Sequence, residues 1–302
     1  MLAEVVCFVD KFYSHVWRVA VPTIWQYGYG IHLNDSERMP DIMDTCDSSS
    51  DLSWQPAKEL VFNCDPLLPS SYIHTCGKIS LELGVAEDVL KIIEDSEESC
   101  VKSAESQNSD LIPAFYEGGL KVWECTDDLL GFLSNPSNIQ QKLKDSAVLD
   151  LGCGSGAVGI SCLMSEASHV HFQDYNEEVI KYYTRPNVTL NFPGVNVEDK
   201  VRYFSGDWES FCGLVQDVKY DLIFTSETIY NPDCYKKLLK VFKQLLKPEG
   251  HVYVAAKTYY FGVGGGTRQF EEALETDGVF KSEVVWKFDS GLNREILKLT
   301  WL

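Results

Sequence analysis

The chain has 302 residues, 45% of them hydrophobic, which is enough for an α/β domain of about 200 residues with a smaller attachment. A net charge of −19 and a pI near 4.7 argue against non-specific binding to nucleic acid or anionic membranes, and favour a basic partner. Ten cysteines without a C-x-x-C pair and six histidines without H-E-x-x-H point to reduced thiols in a cytosolic or nuclear setting and predict no metal site.

The opening "MLAEVVCFVDKFYSHVWRVAVPTIWQYGYGIHL" is apolar and aromatic, but Asp10, Lys11, Arg18 and Pro22 interrupt it. No run reaches the roughly 18 apolar residues of a membrane span, and no basic segment precedes it as in a secretory signal. It reads as a loosely helical tail or as an upstream extension of a chain starting at Met39. Residues 34–110 carry a net charge of −12, and Asn34 to Pro69 reads as an acidic linker. Residues 1–69 are therefore expected to be a poorly ordered extension. "YIHTCGKISLEL" and "EDVLKIIED" predict short strands or a hairpin, and "EDSEESCVKSAESQNSD" a solvated loop. Order resumes near Asp110, and Trp123, Leu129, Leu130 and Leu133 share helical spacing.

From Ala147 strands and helices alternate. "AVLDL", "HVHFQD", "VRYFSG", "YDLIFT" and "GHVYVAAK" read as strands, separated by helices in "AVGISCLMSEA", "EEVIKYYT", "WESFCGLV" and "DCYKKLLKVFKQLL". Near-continuous apolar strands between helices imply a parallel sheet covered on both faces. "TRQFEEALET" is helical, and "FKSEVVWKF" and "REILKLTWL" follow as an antiparallel pair joined by "DSGLN".

Ligands of such sheets bind beyond the carboxyl ends of the strands. In "VLDLGCGSGAVGI", Gly152, Gly154 and Gly156 allow a tight turn and a close backbone approach, and the next helix points its amides at the same space. Gly152, Gly154 and Ala157 also fit the dinucleotide pattern G-x-G-x-x-G/A. Asp150, just before the glycines, disfavours a pyrophosphate and suits a cationic, amino-acid-bearing ligand. Asp174 ends the second strand, placed to accept two ribose hydroxyls. In "GDW", Asp207 is either a helix N-cap or an acceptor for an adenine amino group, with Trp208 or Tyr175 covering the ring.

This combination resembles the seven-stranded S-adenosylmethionine-dependent methyltransferases from about Ala147 to Leu302. The resemblance implies a Rossmann-like α/β fold of strand order 3-2-1-4-5-7-6 with its last strand antiparallel. It also implies that residues 147–302 form the methyltransferase domain and 70–146 a sub-region packing on its cofactor site. "YEGGLKVWECT", "HFQDYN", "SETIYNP" and "YYFGVGGG" further resemble the protein-histidine methyltransferases that act on large ribosomal subunit protein three. That resemblance implies that Val122, Trp123, Glu124, Cys125 and Thr126 lie over the methionine part of the cofactor. It places Gly152, Cys153 and Gly154 beside it, Gln173, Asp174 and Tyr175 with Gly206, Asp207 and Trp208 at ribose and adenine, and Ser226 at the tip of strand four. It also implies a basic ribosomal protein substrate, a monomer, and residence in cytoplasm and nucleus.

In "YDLIFTSETIYNP" a carboxylate and a phenol follow a buried strand directly. Imidazole has an unperturbed pKa of about 6.5, so near neutral pH one ring nitrogen already offers a lone pair. A carboxylate accepting the other nitrogen's N–H would select the tautomer and stabilise the imidazolium formed on methylation. Glu227 is the catalytic candidate for that role, with Tyr230 shaping the acceptor slot. In "YYFGVGGG" the run Gly264–Gly266 reads as a mobile flap or a plain tight turn. The alternatives are a lysine methyltransferase of the same fold, a cofactor-binding ribosome-assembly factor, and a nicotinamide dehydrogenase.

Overall fold

The structure, a computed structural model, describes residues 54–94, 99–107, 109–135, 137–288 and 291–302, so the expectations for residues 1–53 lie outside it. The N-terminal part contains β1 (Lys58–Leu60), the hairpin β2 (Ser71–Cys76) and β3 (Ile79–Gly84), and helices α1 (Ala86–Glu94), α2 (Cys100–Ser106), α3 (Glu124–Leu133) and α4 (Gln140–Leu143). Then come β4 (Ala147–Leu151), α5 (Ala157–Met164), β5 (His169–Asp174), α6 (Glu177–Val179) and α7 (Arg185–Asn191), with a π-turn at Ile180–Thr184 joining the last two. β6 (Val201–Ser205), α8 (Trp208–Leu214), β7 (Tyr220–Ser226), α9 (Tyr235–Leu245), β8 (Leu246–Lys257), α10 (Thr267–Asp277), β9 (Phe280–Phe288) and β10 (Arg294–Trp301) complete the chain. No helix among the described residues is long and apolar enough to cross a membrane.

The main sheet has eight strands in the order β1-β6-β5-β4-β7-β8-β10-β9, and β2 and β3 form a separate two-stranded sheet. This corrects the seven-stranded expectation. A strand from the supposed linker, β1, adds antiparallel to the outer edge of β6, with Lys58 opposite Ser205. Pairing satisfies a row of backbone groups that would otherwise leave β6 an open edge. Strands β6, β5, β4, β7 and β8 are parallel, and β10 is antiparallel to both β8 and β9.

Every residue of β4 is buried, because apolar clusters cover both sheet faces. α9 buries Leu238, Leu239, Val241, Phe242 and Leu245 on one face and turns Lys236, Lys240 and Lys243 outward, while half-buried Lys237 faces Asp207. Two further expectations are corrected. "EDVLKIIED" is helical in α1, which buries Val89 and Ile93 against Val101 and Ala104 of α2. α2 itself lies in the stretch read as a solvated loop. Four apolar residues at helical spacing outweigh the charged composition around them.

Candidate active site

The carboxyl ends of the parallel strands open into a solvent-connected cleft lined by residues of the turns after β4, β5, β6 and β7. Its floor is the turn after β4, where Gly152, Gly154 and Gly156 have φ of 68°, 50° and 75°. A side chain at Gly154 would stand 2.9 Å from the Gly119 carbonyl oxygen, so glycine is required there by both conformation and space. Cys153 lines the cleft, and burial pushes its thiol well above its ordinary pKa, so it stays protonated. Asp150 does not line the cleft, contrary to expectation. It is buried beneath the turn and accepts the Gly159 N–H at 2.8 Å, holding the first turn of α5. Burial pushes its carboxyl up to about 8, so it does not present the anionic wall expected of it.

Asp174 does line the cleft, at the tip of β5. Its Oδ2 accepts the Gly154 N–H at 2.9 Å and its Oδ1 the Asn176 N–H at 3.2 Å. Burial raises its carboxyl to about 6 despite those bonds. Beside it stand Tyr175, Gly206, Asp207 and Trp208. Gln173 is fully buried behind them. It accepts the Trp208 indole N–H at 2.9 Å and donates to the Gly206 carbonyl at 2.8 Å, so it positions the wall and is not part of it. Asp207 is the N-cap of α8, accepting the Glu209 N–H at 3.2 Å, and its other oxygen pairs with Lys237 at 2.8 Å. Both engagements leave the carboxylate on the cleft wall.

Sequence reasoning missed Trp54. It lines the cleft with its ring edge-on to Tyr175 at 5.7 Å and Lys237 3.8 Å from its ring centre. The next residue anchors this strap twice: Gln55 N–H donates to the Tyr175 hydroxyl at 3.1 Å, and Asp207 N–H donates to the Gln55 carbonyl at 2.8 Å. One tryptophan in an acidic run gave no periodic signal to find it by.

At the opposite end, Trp123 and Thr126 line the cleft, and Thr126 shares a 2.8 Å hydrogen bond with Ser226. Val122, Glu124 and Cys125 from the same stretch do not line it. Val122 packs on the core, Cys125 is buried, and exposed Glu124 pairs with Lys257 at 3.2 Å. Lys257, at the end of β8, is only 3% exposed and lies 3.4 Å from Glu227 Oε1. Neither oxygen of buried Glu227 accepts a hydrogen bond from a described residue. Its φ of 57° is left-handed, a conformation costing an L-residue about 1–2 kcal/mol. Buried, strained and ion-paired with Lys257 but accepting no hydrogen bond, this carboxylate keeps acceptor capacity for a ligand's N–H.

Tyr230 donates its phenol proton to Glu117, a second cleft carboxylate that the sequence reading passed over. Burial pushes Glu117 up to about 7. The last two glycines of "GVGGG", Gly265 and Gly266, are tightly packed, whereas Gly262 has open space beside it. A Cβ at Gly265 would lie 2.4 Å from the Ile229 carbonyl oxygen, and Gly266 N–H donates to that carbonyl at 3.1 Å, fixing the turn beside the acceptor end. Buried Tyr260 lies under the same turn, whereas Tyr259 and Phe261 are exposed. His171 is remote from this chemistry, bonded to Tyr220 at 2.7 Å in the core, where burial lowers it to about 3.

The lining suits a nucleoside joined to an amino acid, with aromatic rings and a glycine turn beside carboxylates along one wall. Asp174 offers a carboxylate between glycine turn and aromatic wall, where a ribose diol would donate, and Trp208 and Tyr175 flank the adjoining space. The sheet with its C-terminal antiparallel pair and this cleft define an S-adenosylmethionine-dependent methyltransferase. A family model described as lysine methyltransferase matches residues 115–263. The chain is 39% identical to the histidine protein methyltransferase 1 homolog of Mus musculus over 95% of its own length and 86% of that protein's. It is 43% identical to the homolog of Dictyostelium discoideum over 64% of its length and 60% of that protein's. The chain belongs to the histidine protein methyltransferase 1 family, and S-adenosylmethionine is its cofactor. Among solved structures, a SAM-dependent methyltransferase from Streptococcus mutans shares the fold, with a TM-score of 0.51 at 11% identity over 77% of this chain and 56% of that one.

The pH response follows from Asp174. Ribose hydroxyls donate to its ionised form, so cofactor affinity is expected to be flat above pH 7. Below about 6 it weakens by up to tenfold per unit as the carboxyl protonates. Calorimetric titrations from pH 5 to 8 check this. Asp174→Asn is expected to bind weakly but with a flattened profile, and a profile unchanged in that variant assigns the titration elsewhere.

Proposed function

We propose that the protein transfers a methyl group from S-adenosylmethionine to a ring nitrogen of a histidine in a basic, ribosomal protein substrate. The observation that carries the reading is Glu227, a buried carboxylate just past the tip of β7 on the cleft wall, paired with Lys257 yet accepting no hydrogen bond from a described residue. The bound cofactor supplies an electrophilic methyl on a cationic sulfur. The neutral imidazole directs one nitrogen's lone pair at that carbon. The carbon–sulfur bond would break with its electrons going to sulfur, leaving the ring as an imidazolium. Glu227 accepts the N–H of the remote nitrogen, fixes the tautomer, and balances the charge as it forms. The proton can then leave through that carboxylate. Tyr230, held by Glu117, bounds the slot.

The acidic surface, −19 overall, supports a basic partner. The sequence resemblance supports large-subunit protein three as that partner, the distal (tele) nitrogen as the site, and work in cytoplasm and nucleus as a monomer. The test is incubation of the purified chain and methyl-labelled cofactor with ribosomal proteins from cells lacking the enzyme. Label recovered as methylhistidine after acid hydrolysis is expected, and label recovered only as methyllysine overturns the reading.

Lysine is the second reading, favoured by the description of the matching family model. An ammonium with a pKa of about 10.4 must lose a proton before attack, whereas imidazole need not.

A further inference from the structure

We propose that His74, Cys76 and Asp127 bind a divalent cation of the zinc class where the β2–β3 hairpin meets α3. His74 and Cys76 are two apart on β2, so their side chains share one face of the strand. They are its only half-buried residues, the other four being exposed. Asp127 comes from the first turn of α3. His74 Nε2 and Asp127 Oδ1 are 2.7 Å apart, Cys76 Sγ and the same oxygen 3.2 Å, and Cys76 Sγ and His74 Nε2 3.7 Å.

Metal–ligand bonds of about 2.0–2.3 Å in a tetrahedral zinc site put its donor atoms roughly 3.3–3.6 Å apart. Two of the three separations are within a few tenths of an ångström of that range, and the shorter His–Asp contact is a hydrogen bond that an inserted ion would open. The donor set selects the ion. Imidazole nitrogen and thiolate sulfur suit zinc, whereas magnesium and calcium take oxygen ligands. One thiolate, one carboxylate and one neutral imidazole would neutralise a doubly charged ion, with a fourth position left for water. A hydrogen-bonded pair alone would need only two of these residues, and a thiol is a weak hydrogen-bond partner. None of the three lines the cleft, so the site is structural. It would tie the hairpin to the helix whose N-terminal end carries Trp123 and Thr126. The sequence patterns missed it because its ligands are split between a strand and a helix 51 residues apart.

The full chain, stripped with chelator and dialysed against micromolar zinc, is expected to retain about one ion per molecule by mass spectrometry. The thermal midpoint is expected to rise by at least about 2 °C. Cobalt substitution is expected to give a thiolate-to-metal charge-transfer band and tetrahedral visible bands. Cys76→Ser should abolish the former, and His74→Ala should lower retained zinc at least about tenfold at limiting metal. If a variant fails to fold, the parent's cobalt spectrum decides, because no thiolate band overturns the site. Parent chain that retains no zinc, or variants that retain as much as the parent, overturn it too.

Discussion

Glu227→Gln lowers methyl transfer to histidine by about 10²–10⁴, the range for a positioned acid–base group, while cofactor affinity changes less than about threefold. The two halves of that expectation come from different parts of the cleft. On the proposed reading ribose and adenine meet Asp174, Tyr175 and Trp208, which line the cleft beyond the ends of β5 and β6. Glu227 follows β7, and its oxygens accept no hydrogen bond from a described residue. Gln keeps the size but presents an amide that cannot balance an imidazolium. Because φ is 57° at this position, Glu227→Gly is the informative companion: it relieves strain and removes the carboxylate together. That variant is expected to be as inactive as Glu227→Gln and less stable than the parent, because leaving the buried Lys257 without its buried partner costs more than the relieved strain of about 1–2 kcal/mol returns. Steady-state kinetics with a histidine peptide, calorimetry with adenosylhomocysteine and thermal melts separate these outcomes. Full turnover in either variant removes Glu227 from the chemistry.

Glu227 was legible because the break in "YDLIFTSETIYNP" is local: an apolar strand ends and a carboxylate follows at once. The parallel core was legible for the same reason, since β4 to β8 each follow from a short apolar run between helices. What escaped was non-local. β1 is three residues whose identity as a strand depends on the free edge of β6. Trp54 belongs to the cleft only because β1 brings it there. Asp150 shows the opposite failure. Its place before the glycines suggested a face toward the ligand, but side chains alternate across a strand, and this one points under the turn to the Gly159 amide. Gln173 and Cys125 are near the site in sequence yet act from behind its wall. Glu117 and Lys257 were passed over because nothing in "YEGGLKVWECT" or "VYVAAKTYY" shows which charged residue the fold will bury.

Lys257→Met is expected to destabilise the protein by about 3–5 kcal/mol, because it strips a buried carboxylate of its ion-pair partner. Lys257 is 3% exposed, with Glu227 Oε1 at 3.4 Å and the exposed Glu124 at 3.2 Å, so the Glu227 contact is the desolvated one. Removing Glu124 by Glu124→Gln should cost under about 1 kcal/mol, as for a surface pair. The decisive variant is the double change Lys257→Met with Glu227→Gln. If the single loss arises from an uncompensated charge, the second substitution recovers most of it, with a coupling of about 1–3 kcal/mol by chemical denaturation. If Lys257 matters only for packing its aliphatic stem beneath Trp123 and Tyr260, the two losses add and no recovery is seen. The methionine side chain preserves most of that stem, which makes the outcomes separable.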